Sequence, residues 1–297
     1  MERRSLTSDH ITRAYIDSLL VEVRHLDAVL PDTTLNLYGK SFRTPIMTAA
    51  LSHMANTYPD GMVEMARGAT MAGAVTFSGM GHNDEFRRMV ETGADVIKII
   101  KPYADRKSVH EKIRLAEKLG CLAVGIDIDH AFNRNGYDEI EGMSMYPVTT
   151  KELAELVKMT KLPFVIKGVL SRQDARKCLD AGVQGMVVSH HNGRIDCAVP
   201  PLMILPEILE ETQGKVPLFV DCSMQTGLDA FKALALGATG VCVGRPLIPR
   251  LKEKGAEGVQ EVIEAITKEL KYTMTQTATP DLAHFDKTVV HNSIHHW

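Results

Sequence analysis

Short apolar runs rich in Val and Ile alternate with longer amphipathic segments between about residues 45 and 245. Several of these runs are continuously apolar, as strands covered on both faces must be, and each is followed by a segment of helical length. The pattern therefore predicts βα units around a parallel sheet. The predicted strands are PIMTAA (45–50), AGAVTFS (72–78), DVIKII (95–100), CLAVGID (121–127), PFVIKG (163–168), GMVVSH (185–190), PLFVD (217–221) and GVCVG (240–244).

Two of the intervening segments carry clear helix signals. Ser171 is a good N-cap with Asp174 three residues later, and Gly182 stands where a left-handed C-cap is needed. A second helix is predicted to end at Gly237 and to bury a stripe made of Leu228, Phe231, Leu234 and Ala235.

About eight such units predict a closed (β/α)8 TIM barrel, with an open doubly wound sheet as the alternative. Residues 8–24 and 256–275 are predicted to form extra N- and C-terminal helices. We therefore expect one domain over 1–297 with its barrel core at about 40–250. The long polar loop 131–147 is a candidate lid.

Composition and charge argue against binding to nucleic acid and against a membrane span. With 44% hydrophobic and 24% charged residues the chain is expected to fold as a globular protein, and its net charge of −3 gives no reason to bind nucleic acid. No apolar run approaches the roughly 18 to 20 residues of a membrane span, and the N-terminus is too polar for a signal peptide, so a cytoplasmic location is expected. The five cysteines are scattered without a C-x-x-C pair, which predicts reduced thiols.

In a barrel of this kind the active site lies at the C-terminal ends of the strands. Lys167 ends an otherwise apolar strand, where a buried ammonium group needs an anionic or electron-rich partner. The other polar or glycine positions at predicted strand ends are Ser78, Lys98, Lys101, Asp127, Ser189, His190, His191, Arg194, Asp221, Gly244 and Arg245.

The segment VVSHHNGRID places a histidine beside an arginine on a glycine-containing loop. This pairing provides a general base and a bidentate carboxylate clamp, which suits a small acid as substrate. Successive side chains at a strand end point in opposite directions, so His190 and His191 are not expected to share a metal, and no metal site is predicted. The later segment GVCVGRP, after the last strand, is typical of a phosphate site.

Two long runs resemble the C-terminal half of the FMN-dependent α-hydroxy acid oxidases and dehydrogenases. They are LPFVIKGVLSRQDARKCLDAGVQGMVVSHHNGR and VPLFVDCSMQTGLDAFKALALGATGVCVGRPL. Weaker resemblance extends over most of the chain from about residue 25. It implies a short, divergent member that binds FMN, oxidises a small carboxylate substrate and forms a homo-oligomer, by resemblance a tetramer.

The resemblance also assigns the reacting groups. His191, in SHHNGR where the family has S-N-H-G-G-R, becomes the catalytic base, and Arg194 becomes the substrate-carboxylate clamp. Asp127 matches the aspartate that orients and stabilises the imidazolium. Lys167 would lie beside N1 and O2 of the flavin and stabilise negative charge there.

The remaining implied cofactor contacts run along the flavin nucleotide. Ser78 would contact the isoalloxazine, Asp221 would hold the ribityl chain, and Gly244 with Arg245 would bind the phosphate. The resemblance further implies that Ala50, Ser189, Ser223 and Gln225 belong to the cofactor site.

Three departures from the family pattern bear on cofactor and substrate. The phosphate loop D-G-G-x-R reads DCSMQ, so Ser223 replaces a glycine and Gln225 replaces an arginine. The strand ending Q-L-Y has become KIIK, which puts Lys101 about where a substrate-facing tyrosine would stand. The family's N-terminal segment with a second active-site tyrosine has no counterpart.

The leading hypothesis is an FMN-dependent oxidoreductase that converts a 2-hydroxy acid to the 2-oxo acid. The alternatives are a non-oxidative FMN-dependent isomerase of the same superfamily, a flavin-free lyase with a Schiff base on Lys167, and a flavin-binding protein without activity.

Overall fold

Eight parallel strands close into a barrel in the computed structural model, which describes residues 7–293. The eighth strand pairs with the first, so the open-sheet alternative is wrong and the (β/α)8 prediction is confirmed. The strands are β1 (Ile46–Leu51), β2 (Thr76–Ser78), β3 (Val96–Ile100), β4 (Ala123–Asp127), β5 (Phe164–Val169), β6 (Gly185–Val188), β7 (Leu218–Val220) and β8 (Gly240–Val243).

Helices surround the barrel and follow its strands in the order that the sequence predicts. They are α1 (Ser8–Ser18), α2 (Gly61–Ala72), α3 (Asn83–Glu91), α4 (Arg106–Lys118), α5 (Thr150–Lys158), α6 (Arg172–Asp180), α7 (Pro201–Thr212), α8 (Gly227–Ala235), α9 (Leu247–Lys254) and α10 (Ala256–Gln276). Within residues 7–293, no helix has both the length and the apolarity to cross a bilayer.

The extra terminal helices differ in how well they match the prediction. Helix α10 covers the predicted C-terminal segment, but α1 ends at Ser18 rather than near residue 24. The chain there turns into the short strand Leu19–Val21, which pairs with Val290–Asn292 in an antiparallel ladder. This pairing with a segment at the far end of the chain overrides local helix propensity.

The predicted cap of α6 is confirmed, because the Ser171 hydroxyl accepts a hydrogen bond from the backbone N–H of Asp174 at 3.0 Å. The predicted stripe of α8 is wrong at one position: Phe231 is fully buried, whereas Leu228 is 36% exposed. The first turn of α8 approaches α10 through Gly227, where an added Cβ would lie 2.5 Å from the carbonyl oxygen of Ile266. Leu228 lies beside that contact and faces solvent.

The barrel interior is filled by alternate side chains of the strands. Phe77 and Phe219 meet edge to face across it with ring centroids 5.5 Å apart. A hairpin of strands Leu35–Leu37 and Lys40–Phe42 adds apolar side chains to the same cluster. This packing leaves the other end of the barrel, where the strands terminate, for polar groups.

Lys98 occupies an outward-facing position on β3, since its neighbours Ile97 and Ile99 belong to the interior cluster. Its ammonium group donates to the Ser78 hydroxyl at 3.2 Å and to the carbonyl oxygen of Gly79, and lies 4.8 Å from the centre of the Phe86 ring. The side chain is buried without a carboxylate partner among the described residues. Burial therefore lowers the pKa of Lys98 from 10.5 to about 7.

We expect Lys98→Met to remove a pH dependence of stability. The unfolded chain holds more protons on Lys98 than the folded chain between pH 7 and 10.5, so the stability of the wild type rises with pH across that window. Urea unfolding at several pH values measures this effect. The free energy of unfolding of the wild type should rise relative to that of the variant by up to about 1.4 kcal/mol per pH unit. The exposed Lys107→Met is the control and should show no such gain; a pH-independent difference for Lys98→Met would contradict the prediction.

Candidate functional site

The polar groups at the strand ends lie on the inner face of the barrel because they continue the alternation of the interior. Lys101 follows Ile99 by two residues, and Asp221 follows Phe219 in the same way. Asp127, Lys167 and Ser189 have the same relation to interior positions of β4, β5 and β6. A strand-end side chain that lies two residues after an inward-facing position also points inward, at the end of the barrel where the strands terminate.

A cleft of about 700 Å³, measured to its open mouth, lies at this end of the barrel. Eight of the predicted site residues line it: Ala50, Lys167, His191, Asp221, Ser223, Gln225, Gly244 and Arg245. Its other lining residues are Ala49, Leu51, Asn192, Cys222, Met224, Cys242 and Pro246.

Lys167 is buried at the inner wall of this cleft, with a side chain only 6% exposed. Its Nζ lies 3.6 Å from Asp221 and 3.9 Å from Asp127, and 3.4 Å from the Ser189 hydroxyl. Burial alone would lower the pKa of Lys167, but the charges of Asp127 and Asp221 outweigh it and raise the pKa well above its ordinary value. Lys167 is therefore a permanent cation, as its position in an apolar strand predicts.

His191 faces two carboxylates through one ring nitrogen. Its Nδ1 lies 2.8 Å from Oδ1 of Asp129 and 3.4 Å from Oδ1 of Asp127. Burial alone would lower the pKa of His191, but these carboxylates raise it above its ordinary value. When Nδ1 carries the proton toward a carboxylate, the lone pair of the neutral ring lies on Nε2, as a general base requires.

Asp127 is shared between His191 and two lysines. Its Oδ2 accepts a hydrogen bond from Lys101 at 2.7 Å, and its side chain is 3% exposed. Burial alone would raise the pKa of Asp127, but Lys167 and Lys101 hold it well below its usual range. Asp127, Asp129 and His191 are close enough to ligate a metal, with ligand atoms within 4.8 Å of one another. The two ammonium groups beside Asp127 oppose a further cation there.

His190 and His191 point in opposite directions, as the alternation of side chains predicts. The ring of His190 is buried, and its Nε2 lies 2.7 Å from the Thr12 hydroxyl of α1. His190 therefore anchors the N-terminal helix, and His191 is the histidine of the cleft.

Arg194 is held by the loop that the sequence identifies as a candidate lid. Its Nη2 contacts Asp138 at 2.8 Å and also donates to the carbonyl oxygen of Phe132, and its Nη1 lies 3.3 Å from Nε2 of His130. The loop forms two small hairpins, Phe132–Asn133 with Gly136–Tyr137 and Glu139–Ile140 with Met143–Ser144. Arg194, which follows β6, thus joins its own loop to the loop after β4.

Arg245 lies on the rim of the cleft with a side chain 55% exposed. Its guanidinium group contacts Asp9 of α1 at 2.8 Å and the Asn192 amide oxygen at 2.6 Å. Cys222 and Ser223, at the glycine positions of the D-G-G-x-R pattern, keep the left-handed backbone with φ of 66° and 60°. The loop is therefore shaped as glycines would shape it.

The structure does not bring the Ser78 side chain to the cleft. Strand β2 directs Phe77 inward, so Ser78 points out toward α3, where its hydroxyl lies 3.8 Å from the Met89 sulfur and accepts from Lys98. The Ser78 hydroxyl therefore lies away from the cleft, and the expected contact of Ser78 with the isoalloxazine stays a prediction.

Four site residues were not predicted from the sequence: Asp9, Asp129, His130 and Asp138. A signal for Asp129 is present, since it follows Asp127 by two residues and an extended chain puts both on one face. Asp9 and Asp138 contact arginines 236 and 56 residues away in sequence, and no local pattern reveals such pairs.

The donor set along the cleft fits a flavin nucleotide. A buried cation, Lys167, suits an electron-rich ring edge, the Asp221 carboxylate can accept from hydroxyl groups, and Arg245 with Gly244 suits a phosphate at the rim. His191 lines the same cleft, so its imidazole is available to a ligand bound there.

The family model for FMN-dependent dehydrogenases matches residues 4–150 and 136–292 of this chain. Spinach (Spinacia oleracea) glycolate oxidase is 29% identical over 300 residues, covering 89% of this chain and 81% of that protein. Human (Homo sapiens) 2-hydroxyacid oxidase 1 is 27% identical over 300 residues, covering 87% and 81%.

A solved structure of mandelate oxidase with (S)-2-phenylpropionate has the same architecture. It superposes with a TM-score of 0.86 at 28% identity, covering 97% of this chain and 90% of that one. The likeness therefore extends over nearly all of this chain.

Proposed function

Because this chain belongs to the FMN-dependent dehydrogenase family, we propose that it oxidises a small 2-hydroxy acid to the 2-oxo acid, with His191 as base and Arg194 as carboxylate clamp. The single observation that carries the proposal is the series of contacts that runs from His191 of the cleft through His130 to Arg194. His191 presents Nε2 with its Nδ1 on carboxylates, and the His130 ring, 4.7 Å from that of His191, contacts Arg194. The His130 ring therefore contacts both His191 and Arg194, which supports the assignment of these two residues to one site.

FMN is the family's cofactor, and when bound it supplies a two-electron acceptor. Oxidation of a 2-hydroxy acid removes one hydrogen from the hydroxyl oxygen and one from the α-carbon. His191 accepts one of these as a proton on Nε2, and the carboxylates on its other side stabilise the imidazolium that results. Arg194 orients the substrate carboxylate, and Lys167 stabilises negative charge on the ring edge.

Two of the alternative functions, the lyase and the isomerase, have an argument against them in the site. A Schiff base on Lys167 needs a neutral amine, and the carboxylates around Lys167 raise its pKa and hold it as the ammonium. A non-oxidative isomerase has no evident use for a guanidinium clamp beside the base. The relatives named above include a glycolate oxidase, a 2-hydroxyacid oxidase and a mandelate oxidase, which supports the 2-hydroxy acid class.

The test is anaerobic addition of a 2-hydroxy acid to the FMN-loaded protein. We expect the flavin absorbance band to bleach and the matching 2-oxo acid to appear in equal amount. A panel of glycolate, lactate and mandelate covers small, medium and aromatic side chains. A protein that binds FMN but is bleached by no 2-hydroxy acid, while dithionite bleaches it, would contradict the proposal.

Arg245→Ala is expected to weaken FMN binding, and Gln225→Arg to strengthen it. A charge-assisted hydrogen bond contributes about 1.5 to 3 kcal/mol, so the dissociation constant should change by about tenfold or more in each direction. Fluorescence titration of the apoprotein with FMN measures both. Arg250→Ala, which removes an exposed arginine paired with Glu253 and Glu261, is the control. Wild-type affinity in both cleft variants would show that the phosphate is bound elsewhere.

A further inference from the structure

The carboxylate nearest to His191 is Asp129 rather than Asp127. The Nδ1 to Oδ1 distance is 2.8 Å for Asp129 and 3.4 Å for Asp127. The first value is that of a charge-assisted hydrogen bond and the second exceeds the usual range. Asp129 therefore forms a short hydrogen bond with the His191 ring, and Asp127 lies farther from it.

Asp127 has two cations of its own. Lys101 donates to its Oδ2 at 2.7 Å, and Lys167 lies 3.9 Å from its Oδ1. Asp129, in contrast, has His191 as its one hydrogen-bond partner among the side chains of residues 7–293. Asp127 therefore acts on His191 by its charge while it is bonded to a lysine, whereas Asp129 forms its one side-chain hydrogen bond within residues 7–293 with the His191 ring.

The chain makes room for the Asp129 side chain at Gly168. The register of β5 shifts between Lys167 and Val169, and Gly168 has a φ of +98°. A Cβ at Gly168 would come within 2.6 Å of the Asp129 Cγ and 2.8 Å of its Oδ2. The carboxyl group thus lies against a backbone position that tolerates no side chain.

Burial and the nearby charge of Asp127 raise the pKa of Asp129 to about 6. Asp129 and His191 share one short hydrogen bond, so their titrations are coupled. The groups that face His191 are Asp127 and Asp129 from the end of β4, Lys167 from β5 and the ring of His130.

We propose that Asp129 is the positioning residue for His191, holding its Nδ1 proton and stabilising the imidazolium, while Asp127 serves as the counter-ion that fixes Lys101 and Lys167. The proposal rests on the proposed function only in taking His191 as the base. Which aspartate accepts the hydrogen bond from Nδ1 of His191 is a property of the folded chain, so it can be measured without turnover.

The structural test is NMR of the FMN-loaded protein with ¹⁵N-labelled histidine. An Nδ1 proton bonded to a carboxylate resonates far downfield, and loss of the signal in His191→Gln assigns it. We expect Asp129→Asn to remove the signal and Asp127→Asn to retain it. Retention in Asp129→Asn, or loss in Asp127→Asn, overturns the proposal.

The kinetic test is the pH profile of anaerobic flavin reduction by a 2-hydroxy acid. Neutral His191 is the active form, so the rate falls as the pH drops through the pKa of His191. Without the Asp129 charge that pKa is lower, and the acid limb should move to lower pH. The plateau rate of Asp129→Asn should fall by on the order of 10² because the imidazolium loses its partner.

The outcomes separate this proposal from the proposed function. An unshifted acid limb and a wild-type plateau in Asp129→Asn overturn the role of Asp129, even if His191 is confirmed as the base. If His191→Gln keeps a wild-type rate, the proposed function fails, and the NMR result still decides which aspartate holds the ring.

Discussion

His191→Ala is expected to slow anaerobic reduction of the bound flavin by a 2-hydroxy acid by on the order of 10² to 10⁴. The variant removes the ring nitrogen that accepts the proton and leaves Lys167, Asp221 and Arg245 in the cleft. FMN should therefore remain bound. Stopped-flow absorbance measures the rate, and fluorescence titration measures FMN affinity on the same preparation.

His190→Ala is the matched control, because it deletes the same side chain one residue earlier. His190 is buried against Thr12 of α1, away from the carboxylates that hold His191. We expect its loss to lower the melting temperature and to leave the rate of flavin reduction close to that of the wild type. A His191→Ala rate within about tenfold of the wild type would remove His191 as the base.

The barrel could be predicted from the sequence because its signals are local. Continuous apolar runs such as those of β5 and β8 indicate strands buried on both faces, and Ser171 indicates where α6 begins. The alternation within each strand also determines on which side of the barrel wall each strand-end side chain lies. It places Lys101 and Asp127 inside the barrel, and it places Ser78 outside, next to Lys98.

The parts of the site that escaped prediction depend on contacts between distant segments. The partner of Arg245 is Asp9, because α1 packs across the top of the barrel beside His190. The exposure of Leu228 depends on how closely α8 approaches α10 through Gly227. Neither contact follows from composition or period, since each is decided by packing between elements that the sequence separates.

Arg194 was predicted from a local motif, but its partner comes from a distant segment of the chain. The resemblance of its motif, SHHNGR, predicts that Arg194 binds the substrate carboxylate. In the folded chain, its guanidinium group already contacts the carboxylate of Asp138 at 2.8 Å. A substrate carboxylate therefore competes with Asp138 or shares the guanidinium with it. The guanidinium group has five N–H donors in a planar fork, so it can bind both carboxylates and hold one of them in a bidentate contact, a geometry that a lysine ammonium cannot reproduce.

Arg194→Lys is accordingly expected to lower kcat/KM for a 2-hydroxy acid by about 10 to 100-fold, mainly through KM, because the bidentate contact contributes about 1.5 to 3 kcal/mol. Steady-state kinetics with a 2-hydroxy acid and with its methyl ester make the test specific for the carboxylate. The wild type should prefer the acid, and the variant should lose that preference while its rate on the ester changes little. Arg134→Lys, on the same loop system with a side chain 87% exposed, is the control. If Arg194→Lys slows acid and ester equally, Arg194 supports the loop through Asp138 and is not the group that recognises the substrate carboxylate.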